Sequence, residues 1–453
     1  MFTEEEIQET NQWLIDHGVD DIECVVPDFA GIARGKAMPR TKFIDGMRMG
    51  GHRVPETLFS LTINGSFVYN DYIHEVDRDI MLVPDLSTLC MTPWQPEPTA
   101  VVICDARFDG GEPVPYSPRQ VLRRVIEAYT AEKWQPIVAP EFEFYLLSHD
   151  EGIEGKPMPP IGASGRRSGF NNPMSIDALD EFAAYFDEVY DSCEAQRINV
   201  DTLIHEAGPA QFEFNVMHGH ALQVADQSFL FKRIIRQVAI RHQLFATFMA
   251  SPYSDTFGSA MHIHQSIEEA GTGRNIFHTA DGSDTDLFMG HIAGLQTYLP
   301  QALPLFAPYV NSYRRFGSGW SSPTNTHWGR ENRSVGLRVP AGPNESRRVE
   351  NRIAGSDVNP YLAIAASLAC GLLGMQENLY PTDPFKGSAY EEQNGSLPQH
   401  FLDGLESFKA CKKLKDILTP DFVETYVGVK MLEYESYSAV LSPWETENLL
   451  LTV

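Results

Sequence analysis

Pro140-Glu141-Phe142-Glu143-Phe144-Tyr145 alternates acid and aromatic with a period of two. Successive side chains of an extended strand point to opposite faces, so Glu141 and Glu143 leave by one face and Phe142 and Phe144 by the other. The segment reads as a strand with an apolar face and a chemically loaded one. Three more stretches repeat the device. In Gln211-Phe-Glu-Phe-Asn215, the side chains of Gln211, Glu213 and Asn215 oppose Phe212 and Phe214. In Met261-His-Ile-His-Gln-Ser266 the loaded face is His262, His264 and Ser266, and in Arg348-Val-Glu-Asn-Arg352 it is Arg348, Glu350 and Arg352. One such strand is the ordinary wet face of an antiparallel sheet. The four together imply a common polar face with a purpose.

Two carboxylates at i and i+2 on one strand face stand roughly 6.5 Å apart and repel by about 2.5 kcal/mol at an effective dielectric near 20. No lysine is interleaved to relieve them. A divalent cation relieves them. Carboxylates with one or two histidines and no thiol are the ligand set of Mg²⁺ or Mn²⁺ rather than structural zinc. Arginines on the same faces suit phosphate and carboxylate groups, which they grip through two parallel hydrogen bonds. Metal-bridged phosphates flanked by arginines imply phosphoryl transfer. No G-x-x-x-x-G-K-[ST] occurs, so the nucleotide is not held by a P-loop.

With these blocks the chain resembles the glutamine synthetase family over nearly its whole length. The resemblance is carried by Glu141-Phe-Glu143-Phe, by His205-Glu206 followed by Gln211-Phe-Glu213, and by Gly258-Ser-Ala-Met-His262-Ile-His264-Gln-Ser266. It continues through Asn311-Ser-Tyr-Arg-Arg315, Asn332-Arg333 with Arg338-Val-Pro340, and Arg347-Arg348-Val-Glu350-Asn-Arg352. The resemblance implies an α+β fold, with an N-terminal β-grasp domain followed by a catalytic half-barrel of antiparallel strands ringed by helices. It also implies homo-oligomeric rings, commonly dodecamers, with active sites between subunits.

Position by position, the family pattern matches Glu143, Glu206 and Glu213 to a first metal and Glu141, His262 and Glu350 to a second. It matches Gly258 and Arg315 to glutamate-binding positions, and Arg333, Arg338 and Arg352 to arginines around the transferred phosphoryl group and substrate. His264, Ser266 and Arg348 match nucleotide contacts. The implied cofactors are two or more Mg²⁺ or Mn²⁺ ions per site, with ATP as co-substrate. In the implied reaction, the γ-carboxylate of glutamate is phosphorylated by ATP and an amine then displaces phosphate.

The pattern departs from ammonia-using members at two acids that form their ammonium pocket. The small-domain Asp of an Asp-Gly-Ser turn is matched here by Asn64-Gly65-Ser66, and the Glu six residues after the arginine matched by Arg315 is Ser321. The pocket loses negative charge and gains room, so it favours a carbon chain over ammonium. Within the family, the chain looks closest to γ-glutamylputrescine and other γ-glutamylpolyamine synthetases, in which γ-glutamylation tags an amine for catabolism. A polyamine or a monoamine is expected as substrate. The alternatives are glutamine synthesis from ammonia and a non-enzymatic family member, and against the latter all six matched metal ligands are present.

The remaining sequence agrees with a two-part enzyme of 453 residues, 43% hydrophobic. Thr3-x-x-Glu6 is a capping box opening a helix over 4–17. Ile22–Val26, Arg34–Met38, Ser66–Tyr69 and Ala100–Asp105 read as strands. Phe108-Asp-Gly-Gly-Glu-Pro-Val-Pro-Tyr-Ser117 has linker composition, and Ser117-Pro118 caps a helix through Ala131. The expected domains are 1–113 and 114–453. Further helices are expected near 176–195, 220–243, 285–303, 359–377, 420–438 and 443–449.

With 61 acidic against 35 basic residues and a net charge of −26, no nucleic-acid or membrane partner is expected. That field would draw cations and so fits a polyamine substrate, but it is first of all a solubility or salt-adaptation trait of the surface. The run Tyr361–Met375 is too short to span a bilayer. Six scattered cysteines without a C-x-x-C pair and an acidic N-terminus without an apolar h-region lead to the expectation of a cytoplasmic protein.

Overall fold

Thr3 accepts a hydrogen bond from the Glu6 amide at 3.2 Å, and the Glu6 carboxylate accepts from the Thr3 amide at 2.7 Å, closing the expected box at the head of helix Glu4–Asp16. This computed structural model describes residues 2–149, 157–169, 172–317, 322–391 and 396–453. After the first helix the chain builds a six-stranded sheet in the order Ala33–Pro39, Asp21–Pro27, Thr99–Arg107, Asp79–Pro84, His52–Pro55, with Cys90–Met91 paired beside Thr99–Arg107. Asp21–Pro27 runs parallel to Thr99–Arg107 and the other pairings are antiparallel. The unbroken apolar run Ala100–Cys104 explains the central place of Thr99–Arg107, buried on both faces.

The strand expected at Ser66–Tyr69 does not form; the segment contributes a single bridge, Leu61 to Phe67. Polar side chains capture the local backbone instead. Thr62 Oγ1 accepts from Ser66 N at 2.8 Å, Asn70 Oδ1 accepts from Tyr72 N and Ile73 N, and Gly65 turns at φ +89°. The segment then docks on helix Pro420–Ser438. Ile63 N donates to Glu433 at 2.7 Å, Asn64 Nδ2 to Ser436 Oγ at 2.7 Å and Asn70 Nδ2 to Thr425 Oγ1 at 3.0 Å.

Helix Pro118–Ala131 forms with the expected bounds and joins the two parts. Its Arg119 is 1% exposed and pairs with Asp105 of the N-terminal sheet, with Asp85 just after strand Asp79–Pro84, and with Asp226 from helix Ala221–Arg241. A buried guanidinium is tolerated only with such carboxylates around it.

Beyond that helix lies a ten-stranded sheet. Its main path runs Trp328–Arg330, Leu337–Val339, Val349–Asn351, Met261–Glu269, Trp134–Ser148, Gln211–Val216, Val200–His205. Every pairing is antiparallel except the first. All four stretches read from alternation are strands of this one sheet. Their apolar faces are buried: Phe142, Phe144, Phe212, Phe214, Met261 and Ile263 are inaccessible to solvent. Phe142 and Phe214 meet Phe231 of helix Ala221–Arg241 at centroid distances of 5.5 and 5.4 Å. Burying each such ring stabilises the fold by about 1.5–3 kcal/mol.

The apolar run at 361–375 is the middle of helix Pro360–Gln376, buried from Pro360 to Met375 and started by Asn359, whose side chain accepts from Tyr361 N at 2.9 Å. No helix among the described residues is long and apolar enough to cross a membrane. The helix expected over 176–195 is broken into Ile176–Asp180 and Ala183–Ala195. The one expected over 285–303 ends at Tyr298, ahead of a 3₁₀ turn at Leu303–Leu305 that contains Pro304.

Candidate active site

Register turns the separate loaded faces into one. Glu141 stands opposite Asn215 on one side and His262 on the other, Glu143 opposite Glu213, and His264 opposite Glu350, which in turn stands opposite Arg338. The resulting row of acids, imidazoles and arginines crosses five strands. Glu141 is its hub. One carboxylate oxygen lies 3.0 Å from His262 Nδ1 and the other 2.9 Å from His264 Nε2. His262 also lies 3.9 Å from Glu143 and 4.0 Å from Glu350. Glu143 accepts from Ala260 N at 2.8 Å. Two triads, Glu141 with His264 and Glu350, and Glu141 with Glu213 and His262, each offer ligand atoms within 4.8 Å of one another.

The electrostatics of this cluster call for a cation. Burial, reinforced by the charge of Glu206, pushes the Glu143 carboxyl up to about 8. Burial and the surrounding acids Glu141, Glu143, Glu206 and Glu350 raise Glu213 well above the ordinary carboxylate range, and burial followed by Glu141 raises Glu206. His262 is held down near 4, by burial first and Arg352 second, so its imidazole is neutral at pH 7. Glu141 goes the other way: burial would raise it, but its bonds to His262 and His264 outweigh burial and hold it ionised. Oxygen-rich, thiol-free and short of positive charge, the donor set fits divalent cations of the Mg²⁺ or Mn²⁺ kind.

A cleft of about 600 Å³ opens beside Glu141, lined also by Asn215, His264, Ser266, Ser346 and Arg348. It brings together the three residues matched to nucleotide contacts. Arg348 Nε donates to His264 Nδ1 at 3.1 Å, so His264 links the acid cluster to this cleft.

On the opposite flank, Glu350 is 1% exposed and is gripped by Arg338 at 2.8 Å and by Arg352. Arg315, 2% exposed, donates to the carbonyls of Ile353 at 2.7 Å and Arg352 at 3.0 Å, and burial lowers it to about 10. Gly258 packs against it: a Cβ there would lie 2.7 Å from Arg315 Cγ and 2.7 Å from the Ala250 carbonyl oxygen. Arg333 stands exposed on the turn after Trp328–Arg330, and its guanidinium has no hydrogen-bond or ion-pair partner among the described residues. Its charge nonetheless reaches Glu206.

Asn64 is held on helix Pro420–Ser438, and among the described residues no contact joins it to the acid cluster. Ser321 lies outside the described residues. Tyr145 belongs to no motif of the site, yet its hydroxyl donates to the Phe257 carbonyl at 2.7 Å immediately before Gly258. The alternation that places Glu141 and Glu143 on one face places Tyr145 there too. Asp357 likewise belongs to no motif; it accepts from Ser312 at 2.7 Å beside Arg315 and stands in no periodic pattern.

A family profile described as glutamine synthetase, catalytic domain, matches residues 115–449. Gamma-glutamylputrescine synthetase PuuA of Escherichia coli (strain K12) is 32% identical over 95% of this chain and 91% of its own. A glutamate–isopropylamine ligase of a Pseudomonas species is 32% identical over 98% of each chain. Among solved structures, a complex of GmaS with ADP superposes with a TM-score of 0.84 at 25% identity, over 97% of this chain and 99% of that one. With a matching profile over most of its length and relatives aligned nearly end to end, this chain belongs to the glutamine synthetase family.

Proposed function

We propose that the protein is an ATP-dependent ligase that joins the γ-carboxylate of glutamate to an amine, either a polyamine such as putrescine or a monoamine. The observation that carries this reading is the continuous row of acids, histidines and arginines across the large sheet, in a chain whose relatives include ligases of glutamate to putrescine and to isopropylamine. A glutamate carboxylate oxygen attacks the γ-phosphorus of ATP, an O–P bond forms, and ADP leaves. The nitrogen of the neutral amine then attacks the γ-carbonyl carbon, gives up a proton to solvent as the C–N bond forms, and phosphate leaves, taking the former carboxylate oxygen with it.

Gly258 and Arg315 hold glutamate, while Arg333, Arg338 and Arg352 offset the charge of the transferred group and orient it. His264, Ser266 and Arg348 hold the nucleotide, an assignment supported by the cleft they line and by the GmaS relative solved with ADP. Glu143, Glu206 and Glu213 hold one divalent ion and Glu141, His262 and Glu350 another. When bound, Mg²⁺ or Mn²⁺ supplies charge neutralisation at the phosphates.

The six-stranded sheet is the β-grasp domain, 1–113, and the catalytic half-barrel domain is 114–453, a boundary supported by the profile match beginning at 115. The chain works in the cytoplasm, as its free buried cysteines favour, in homo-oligomeric rings, commonly of twelve, that bring the Asn64 turn of one subunit to its neighbour's site.

The reading is tested by measuring phosphate release with ATP, glutamate and an amine. Release needs all three together, and release that is indifferent to glutamate overturns the assignment. Two substitutions test the flanks. Arg333→Lys lowers kcat/KM by more than about threefold, or roughly 0.65 kcal/mol, because a planar fork facing a phosphoryl group becomes a point charge. A smaller loss removes Arg333 from the transition state. Gly258→Ala drives a methyl into the Arg315 side chain and lowers kcat/KM for glutamate by about tenfold or more, read from initial rates at varied glutamate.

A further inference from the structure

Arg333 poses a positioning problem. Its side chain is exposed and finds no hydrogen-bond or ion-pair partner among the described residues, so what the structure fixes is the backbone from which the guanidinium reaches. Within its own turn, Asn332 Oδ1 accepts from Ser334 N at 3.0 Å and from Ser334 Oγ at 2.6 Å. The rest of the support comes from the segment 382–390, which lies outside every motif read from the sequence and runs alongside the arginine's loop. Trp328 Nε1 donates to the Thr382 carbonyl at 2.6 Å, Phe385 N to the Trp328 carbonyl at 2.7 Å and Asn332 Nδ2 to the Gly387 carbonyl at 2.9 Å. Ala389 N donates to Ser334 Oγ at 2.8 Å. The last bond is made to the arginine's own residue: Tyr390 Oη donates to the Arg333 carbonyl at 3.0 Å. Tyr390 is the middle residue of a 3₁₀ turn, Ala389–Glu391, whose first residue Ala389 is buried, and its phenol lies within electrostatic reach of Arg352, Arg315 and Arg333.

We propose that Tyr390 is a positioning residue for the ligase reaction: its hydroxyl fixes the Arg333 backbone, the origin from which the guanidinium reaches the transferred phosphoryl group. This rests on the proposed role of Arg333 and adds the device that holds it. A side chain that is 45% exposed has little to do for the core, so a phenylalanine there leaves the fold in place while removing the bond. The effect is expected in kcat, because Arg333 is among the arginines matched to the transferred phosphoryl group and substrate, while the nucleotide contacts are matched to His264, Ser266 and Arg348.

The test is a double-mutant cycle on the full chain, reading phosphate release with ATP, glutamate and an alkylamine. Tyr390→Phe is expected to lower kcat about fivefold while KM for ATP stays within about twofold and thermal unfolding is unmoved. In an Arg333→Ala background the same change is expected to cost less than about twofold, since the residue it positions is gone. Two results overturn the proposal: a Tyr390→Phe enzyme that matches the wild type, or one that loses the same fivefold whether or not Arg333 is present. Failure of the ligase reading itself would show separately, as wild-type protein that releases no phosphate with glutamate and amine.

Discussion

Glu141→Ala lowers amine-dependent phosphate release by more than about a hundredfold, a larger loss than removal of an outer partner of a metal ligand produces. Glu141 is a ligand of the second proposed ion, the one residue common to the two groups whose donor atoms lie within 4.8 Å of one another, and the acceptor that fixes both His262 and His264. Removing it withdraws a ligand, frees two imidazoles and leaves Glu143, Glu206 and Glu213 with fewer ways to share a cation. Its side chain is 21% exposed toward the cleft, so the fold survives and the loss is read in turnover. Full turnover by this variant, or by the wild type in excess EDTA, removes the metal-dependent mechanism. Glu350 is a poorer choice for the same test. At 1% exposure between Arg338 and Arg352, its removal takes the carboxylate partner from Arg352, leaves Arg338 only its 3.4 Å pair with Glu331, and costs stability as well as activity.

The double change Asn64→Asp with Ser321→Glu shifts preference toward ammonium over an alkylamine by at least about tenfold, measured as the ratio of kcat/KM values. Restored acids give ammonium the paired charge it lacks, and the longer glutamate fills space that a carbon chain otherwise uses. The Asn64 turn tolerates the change. Thr62 Oγ1 donates to Asn64 Oδ1 at 2.5 Å, a bond an aspartate keeps, and the Ser436 hydroxyl that now accepts from Asn64 Nδ2 is free to rotate and donate. An unchanged ratio would mean that the selectivity of the pocket lies elsewhere.

The large sheet and its acid row were legible because Glu141, Glu143, Glu213, His262, His264 and Glu350 alternate with residues that must be buried. Period two is then visible in the letters themselves, and antiparallel register does the rest. Helices opened by Thr3, by Ser117-Pro118 and by Asn359-Pro360 were legible for the same local reason, a cap followed by an apolar stripe. Helix Arg40–Arg48 was not: it starts at Pro39 without a side-chain cap and carries Gly46 in its interior. Ser66–Tyr69 misled in the other direction, since the Thr62 side chain holds Ser66 N and the Asn70 side chain turns the chain just after the stretch, a contest that composition does not reveal.

In the site, alternation pointed to ligands and arginines. It is blind to what is settled by contacts distant in sequence: the pairing of Arg338 with Glu350, the packing of Gly258 on Arg315, and the bond from Tyr390 to Arg333. None of these leaves a period or a spacing to read.

The central claim is that an amine, not ammonium, is the nucleophile. A direct competition tests it: wild-type protein with ATP, glutamate, Mg²⁺ and equal concentrations of ammonium and a short diamine or alkylamine, the products separated and weighed by mass spectrometry. The account predicts the N-alkyl γ-glutamylamide in at least about tenfold excess over glutamine, since only the longer amine recovers binding energy along its chain. Glutamine as the sole product, with every amine ignored, would contradict it.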